Sequence, residues 1–131
     1  MEILEQLILN GFATKDFDLL DGKIKFSLKT LAGKEQMAIE KWMENINGTP
    51  MYVVHNFSLR MLAYGLLSYQ DNKFEKKSPE EKLEFIENLD TTILDLMVNT
   101  QKKFYEEAKN TINPDELENL SETPSADSAS N

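Results

Sequence analysis

The sequence predicts a mainly α fold: a small helical bundle of four to five helices with one N-terminal β-hairpin, in one domain. Three observations predict it. Asp21-Gly22 separates two alternating apolar–polar runs, a strong hairpin signal. Apolar residues recur at helical spacing through most of the remaining chain. Two cap motifs carrying proline, Thr49-Pro50 and Ser78-Pro79-Glu80-Glu81, mark helix starts.

Residues 2–10 read as a short helix with Ile3, Leu4, Leu7 and Ile8 on one face, stopped by Asn10-Gly11. The hairpin follows over about 15–30. A two-residue turn at Asp21-Gly22 fixes its register: Leu19 faces Ile24, Asp18 faces Lys25 and Phe17 faces Phe26. Phe17, Leu19, Ile24 and Phe26 then share the inner face, and Asp18 and Lys25 the outer one. Met37, Ile39, Trp42, Met43 and Ile46 give an amphipathic helix over about 34–46, ended by Asn47-Gly48. The next helix, 50–69, is apolar over most of its circumference, which predicts a central, buried element.

A polar connector over 70–77 leads to the capping box at Ser78. From Leu83 to about Ile112 apolar residues keep helical spacing. Asn88-Leu89-Asp90 favours a break there, with Asp90 as a second cap, because Asn and Asp compete with the helical backbone. Asn113-Pro114 ends the domain. Residues 1–112 thus form the helical domain, and 113–131, acidic and Ser-rich, are expected to be a disordered tail.

With 131 residues and 40% hydrophobic content, the chain can bury a core without a metal or disulfide, and it has no cysteine. The N-terminus lacks the pattern of a secretory signal, and no apolar run is long and uncharged enough to span a bilayer. Those features predict a soluble, cytoplasmic protein with no membrane partner. The formal charge is −9, and Asp115, Glu116, Glu118, Glu122 and Asp127 lie in a tail without a basic residue. Phosphate binding needs a basic stripe, so no nucleic-acid partner is expected; Lys73, Lys76 and Lys77 are interleaved with acids.

The residues argue against catalysis. His55 is the one histidine; Ser58 sits at i+3, but no acid lies nearby in sequence. Glu80, Glu84 and Glu87 share a helical face away from the apolar stripe, which reads as a solvated face. All five glycines fall singly, so no phosphate loop exists, and Asp71-Asn72-Lys73 lacks the rest of a calcium loop. No catalytic residue, cofactor or metal site is expected.

Interaction features remain. A lone ribbon leaves strand edges that can accept another chain, which nominates Asp18, Lys23 and Lys25; lysines on the hairpin can equally protect the edge. Leu117 and Leu120, spaced i,i+3 among acids, resemble a short helix-in-groove anchor, although a plain solubilising tail fits them too.

The order of elements also carries a family resemblance. A helix ending in LILNG precedes the F-x-L-x-DG-x-I-x-F hairpin and then a helix start at Thr30, Leu31, Gly33 and Glu35. A long apolar helix with Leu62 and Leu66 follows, and then the Pro79-Glu80-Glu81 start. Over residues 1–112 this resembles the tail assembly chaperones and baseplate hub proteins of tailed bacteriophages. The resemblance implies a non-enzymatic virion morphogenesis protein acting through protein–protein contacts. It implies tape-measure, hub or other tail and baseplate proteins as partners, self-association within an assembly, and residence in the host cytoplasm or the virion. The competing readings are a structural component that stays in the particle, a chaperone that leaves it, and a small acidic regulator of a host enzyme.

Overall fold

The structure, a computed structural model, describes residues 2–112. Helix α1 (Ile3–Asn10) ends as expected at Gly11, whose left-handed backbone (φ 81°) lets its N–H reach the Leu7 carbonyl at 3.1 Å. Strands β1 (Thr14–Leu19) and β2 (Ile24–Lys29) then pair antiparallel in the register that the sequence predicts, with Phe17 opposite Phe26, Asp18 opposite Lys25 and Leu19 opposite Ile24. The turn between them has positive φ at Asp21 (55°) and Gly22 (82°), and Lys23 N–H donates to the Leu20 carbonyl.

Helix α2 (Gly33–Trp42) starts where Glu35 accepts a hydrogen bond from the Ala32 N–H at 2.8 Å. The same carboxylate holds Lys29 Nζ at 2.6 Å, joining the end of β2 to the first turn of α2. Helix α3 (Pro50–Gly65) begins with Thr49 Oγ1 accepting from the Tyr52 N–H. It is shorter than the expected 50–69. Leu66–Tyr69 leave the helix as β3, and Asn72–Lys73 return as β4.

The described residues therefore form five helices and a four-stranded antiparallel sheet of order β1-β2-β3-β4. This is a mixed α/β fold, which corrects the expected helical bundle with a single hairpin. The apolar run ending at Tyr69 satisfies a helix and a strand equally well, and periodicity alone cannot choose. Pairing with β2 makes these residues a strand, and Gly65 eases the approach: a β-carbon there would lie 3.2 Å from the Lys29 carbonyl and 2.6 Å from Gln101 Nε2. Gln70, at φ 53°, turns the chain, and its side-chain amide grips the start of β2 by accepting from the Lys25 N–H and donating to the Lys23 carbonyl.

Helix α4 (Pro79–Glu87) carries the expected capping box: Ser78 Oγ accepts from the Glu81 N–H, and Glu81 accepts from the Ser78 N–H. The chain breaks at Asn88–Asp90, and Asp90 caps α5 (Thr91–Lys109) through the Thr92 N–H at 2.8 Å. The core lies between one face of the sheet and α3, α4 and α5. Ala13, Phe26, Leu28, Leu62, Ala63, Leu66, Ile86, Met97 and Phe104 are its most buried members. Phe17 stacks on Phe26 at 5.4 Å and meets Phe104 edge-on at 5.9 Å, which fixes α5 on the hairpin. Among the described residues, no helix is long and apolar enough to cross a membrane.

Candidate protein-contact groove

The expectation that α3 is buried all round holds for only half of it. Leu59, Arg60, Leu62, Ala63 and Gly65 are buried, but Met51 is 83% exposed and Val54 60% exposed. The first turns of α3 carry apolar side chains with nothing over them. They form one wall of a groove whose other wall is α5. Leu94, Asp95, Val98, Asn99 and Lys102, at helical spacing, face Pro50, Met51, Val54, His55, Ser58 and Leu59 across about 460 Å³.

The groove continues along α5. A more enclosed hollow of about 220 Å³ lies between Val54, Phe57 and Met61 on one side and Val98, Gln101 and Tyr105 on the other. Beyond it, Lys102, Lys103, Glu106, Glu107, Asn110 and Thr111 line an open trough that reaches the end of α5. Lys102 borders all three hollows. The first two hollows share Val54, Ser58 and Val98 and form one largely apolar groove between α3 and α5, with Lys102 on its rim; the third meets it at Lys102 and is lined by polar side chains of α5.

Gln101 anchors the floor by donating from Nε2 to the Met61 carbonyl at 2.9 Å. The Tyr105 hydroxyl is buried, and its approach to the Leu31 backbone falls short of hydrogen-bond geometry. Burial raises the phenol's pKa above its ordinary value, the Leu31 backbone partly opposes this, and the Glu35 charge adds to the rise.

The structure brings Asp95 into the groove beside His55 and Ser58, an acid that the sequence did not place there. No hydrogen bond links the three. Glu80, Glu84 and Glu87 are exposed on α4. Among the described residues, no group of three histidine or acidic side chains could hold a metal ion.

Asp18 and Lys25 lie on the outer face of the sheet, lining a shallow polar hollow with Ser27, Ser68 and Lys73, and Lys23 is exposed in the adjoining turn. Asp18 and Lys25 face each other in register without forming an ion pair. Strand β2, which carries Lys25, is interior to the sheet, so the expected open edge on that side is taken by the chain's own β3. The β1 edge is partly covered: the Thr14 N–H donates to Gln6 Oε1, and Lys15 pairs with Glu107 at 2.8 Å. Leu117 and Leu120 lie outside the described residues.

Sequence reasoning missed Val54, Val98 and Lys102 as a surface. The available signal was the excess of apolar residues around α3, beyond the stripe that one packed face requires. Comparison of the chain with protein-family models, with curated proteins and with solved structures finds no match.

Proposed function

We propose that this protein is a non-enzymatic morphogenesis component of a tailed phage, and that the α3/α5 groove is where it grips its partner. The observation that carries the contact role is the uncovered apolar wall at Met51 and Val54 above an apolar floor. Exposed apolar surface of this kind, rimmed by polar groups, marks interaction sites. A groove between two helices suits an apolar segment laid along it, as in helix-in-groove recognition. The phage setting rests on the resemblance over residues 1–112, with tape-measure or hub proteins as the partners it implies.

The same groove serves a chaperone that shields a partner segment and then leaves, or a component that keeps it. Mass spectrometry of purified particles separates the two, since only a component is retained. The contact role is tested by pulldown of tape-measure and hub proteins with the full chain and with Met51→Asp/Val54→Asp. Wild type is expected to recover one of them and the variant to lose it at unchanged thermal stability, because both positions are exposed. Recovery of neither by wild type overturns the assembly reading; equal recovery by the variant moves the contact off the groove.

A further inference from the structure

Strand β1 is the long edge of the sheet, six residues against the two of β4 at the other side. We infer that this edge accepts an extended segment of a partner protein as a fifth strand, and that the segment carries two basic side chains with an apolar one between them. The surface is separate from the α3/α5 groove, and the inference does not rest on it.

The register decides which main-chain groups face the edge. Lys25 N–H donates to Gln70 Oε1 at 2.9 Å, and the Lys25 carbonyl accepts from the Gln70 N–H at 2.6 Å, both on the β3 side. Asp18, opposite Lys25, therefore exchanges no main-chain bond with it and turns its N–H and carbonyl outward. Alternation gives Asp16 and Thr14 the same standing. The Thr14 N–H does point away from β2, donating to Gln6 Oε1 at 2.9 Å. The main-chain N–H and carbonyl groups of Asp16 and Asp18 have no hydrogen-bond partner among the described residues. Two such pairs, two residues apart, are what an added strand satisfies.

The side chains set which strand fits. Asp16 and Asp18 are exposed on the outer face, and neither carboxylate is in an ion pair. Asp16 accepts from the Ser27 hydroxyl only. Between them on the inner face, Phe17 is partly buried and packs on the core, as does Leu19. A segment laid along β1 in either direction thus sets alternate side chains beside the two carboxylates and the intervening one beside Phe17. Opposite charges across such pairs stabilise a sheet and like charges weaken it, so lysine or arginine suits the outer positions. A second copy of this chain does not fit: a two-fold antiparallel pairing through both residues sets Asp16 against Asp18 or against its own copy. The same two acids that admit a basic strand therefore reject self-pairing.

The test uses the full chain and two peptides of four lysines and three valines, one strictly alternating and one with all lysines first. At ten times its dissociation constant, the alternating peptide is expected to slow amide exchange of Asp16 and Asp18 about tenfold, since only the free fraction exchanges. The block peptide is expected to leave both unchanged. No slowing, or equal slowing by both peptides, overturns the inference. So does slowing without peptide that grows with protein concentration, which would place a second copy on the edge. Asp18→Pro removes an edge N–H and none of the β1–β2 bonds, so it should keep the fold and lose at least tenfold in peptide affinity. Should that variant not fold, Asp16→Asn/Asp18→Asn keeps the main chain and is expected to weaken binding roughly two- to thirtyfold. Full affinity in either folded variant overturns the inference. Met51→Asp/Val54→Asp is expected to bind the alternating peptide as wild type does; loss there would put the peptide in the groove and overturn the edge site alone.

Discussion

Gln101 Nε2 fills the space that a β-carbon on Gly65 would need: the two would stand 2.6 Å apart. Gln101 is 3% exposed and tied to the Met61 carbonyl, so it has little room to yield. Gly65→Ala is therefore expected to destabilise the fold by about 1–3 kcal/mol, the usual range for overpacking. Adding Gln101→Ala should recover part of this, because the Lys29 carbonyl at 3.2 Å stays in place. Urea unfolding midpoints of the two single variants and the double variant measure the coupling. Simple additivity would show that the contact is not the source of the loss.

Gln70 combines a left-handed backbone with two side-chain hydrogen bonds to Lys23 and Lys25. Gln70→Ala keeps the strain and loses both bonds, with an expected cost of about 1–2 kcal/mol. Gln70→Gly loses the same bonds but relieves the backbone, so its cost should be the smaller of the two. Thermal unfolding of both variants ranks them. The reverse order would mean that the left-handed backbone at this position carries no strain for glycine to relieve.

Leu20 stands just before the hairpin turn at φ 54°, with its side chain 59% exposed. A left-handed leucine costs about 1–2 kcal/mol, and glycine's extra chain entropy returns somewhat less. Leu20→Gly should therefore raise stability, by up to about 1 kcal/mol. A lower melting temperature would show that Leu20 makes a contact that outweighs its strain.

Lys82 is 8% exposed, and its ammonium donates to the Leu66 carbonyl at 2.9 Å. Burial depresses its pKa first and the nearby Lys29 charge second, with Glu35 partly opposing both. In the window between the lowered folded value and the ordinary value near 10.5, the unfolded chain holds a proton that the folded chain lacks. Stability therefore rises with pH across that window. Tyr64 and Tyr105, raised chiefly by burial, act in the opposite sense above pH 10. On the acid side, Asp90 is lowered by the Thr92 backbone, so its capping contribution is lost as pH falls through its folded value. Lys82→Met should remove the alkaline rise and leave the acid limb unchanged, as read from urea midpoints across pH. An alkaline rise that persists in the variant assigns it to another group.

The parts of the fold that were legible in the sequence are those set by local chemistry. Asp21-Gly22 fixed a register that runs through Phe17 and Phe26, and Ser78 and Asp90 act as the caps that their neighbours announced. The missed parts depend on distant residues. Leu66–Tyr69 become a strand because β2 supplies hydrogen-bond partners and because Gly65 permits the approach to Lys29, and neither reason is written in residues 62–69. The groove was missed for a related cause. Val54 looks like core by composition, and only the packing of elements distant in sequence shows it to be 60% exposed. Asp18 and Lys25 lie on the outer face as expected, but the second hairpin pairs the Lys25 strand on both sides and leaves β1, which carries Asp18, at the edge.

The sheet's order has a consequence in time. β1 finds β2 across a four-residue turn, whereas Leu28 must wait for Leu66, 38 positions later. Closing so long a loop is slow relative to forming a hairpin or a helix. A nascent chain therefore displays β2 with a bare edge for as long as α2 and α3 take to form and deliver β3. During synthesis that interval cannot end before Tyr69 has left the ribosome, and throughout it the hairpin is open to mispairing with a neighbouring copy. The vulnerable moment of this protein precedes its native state.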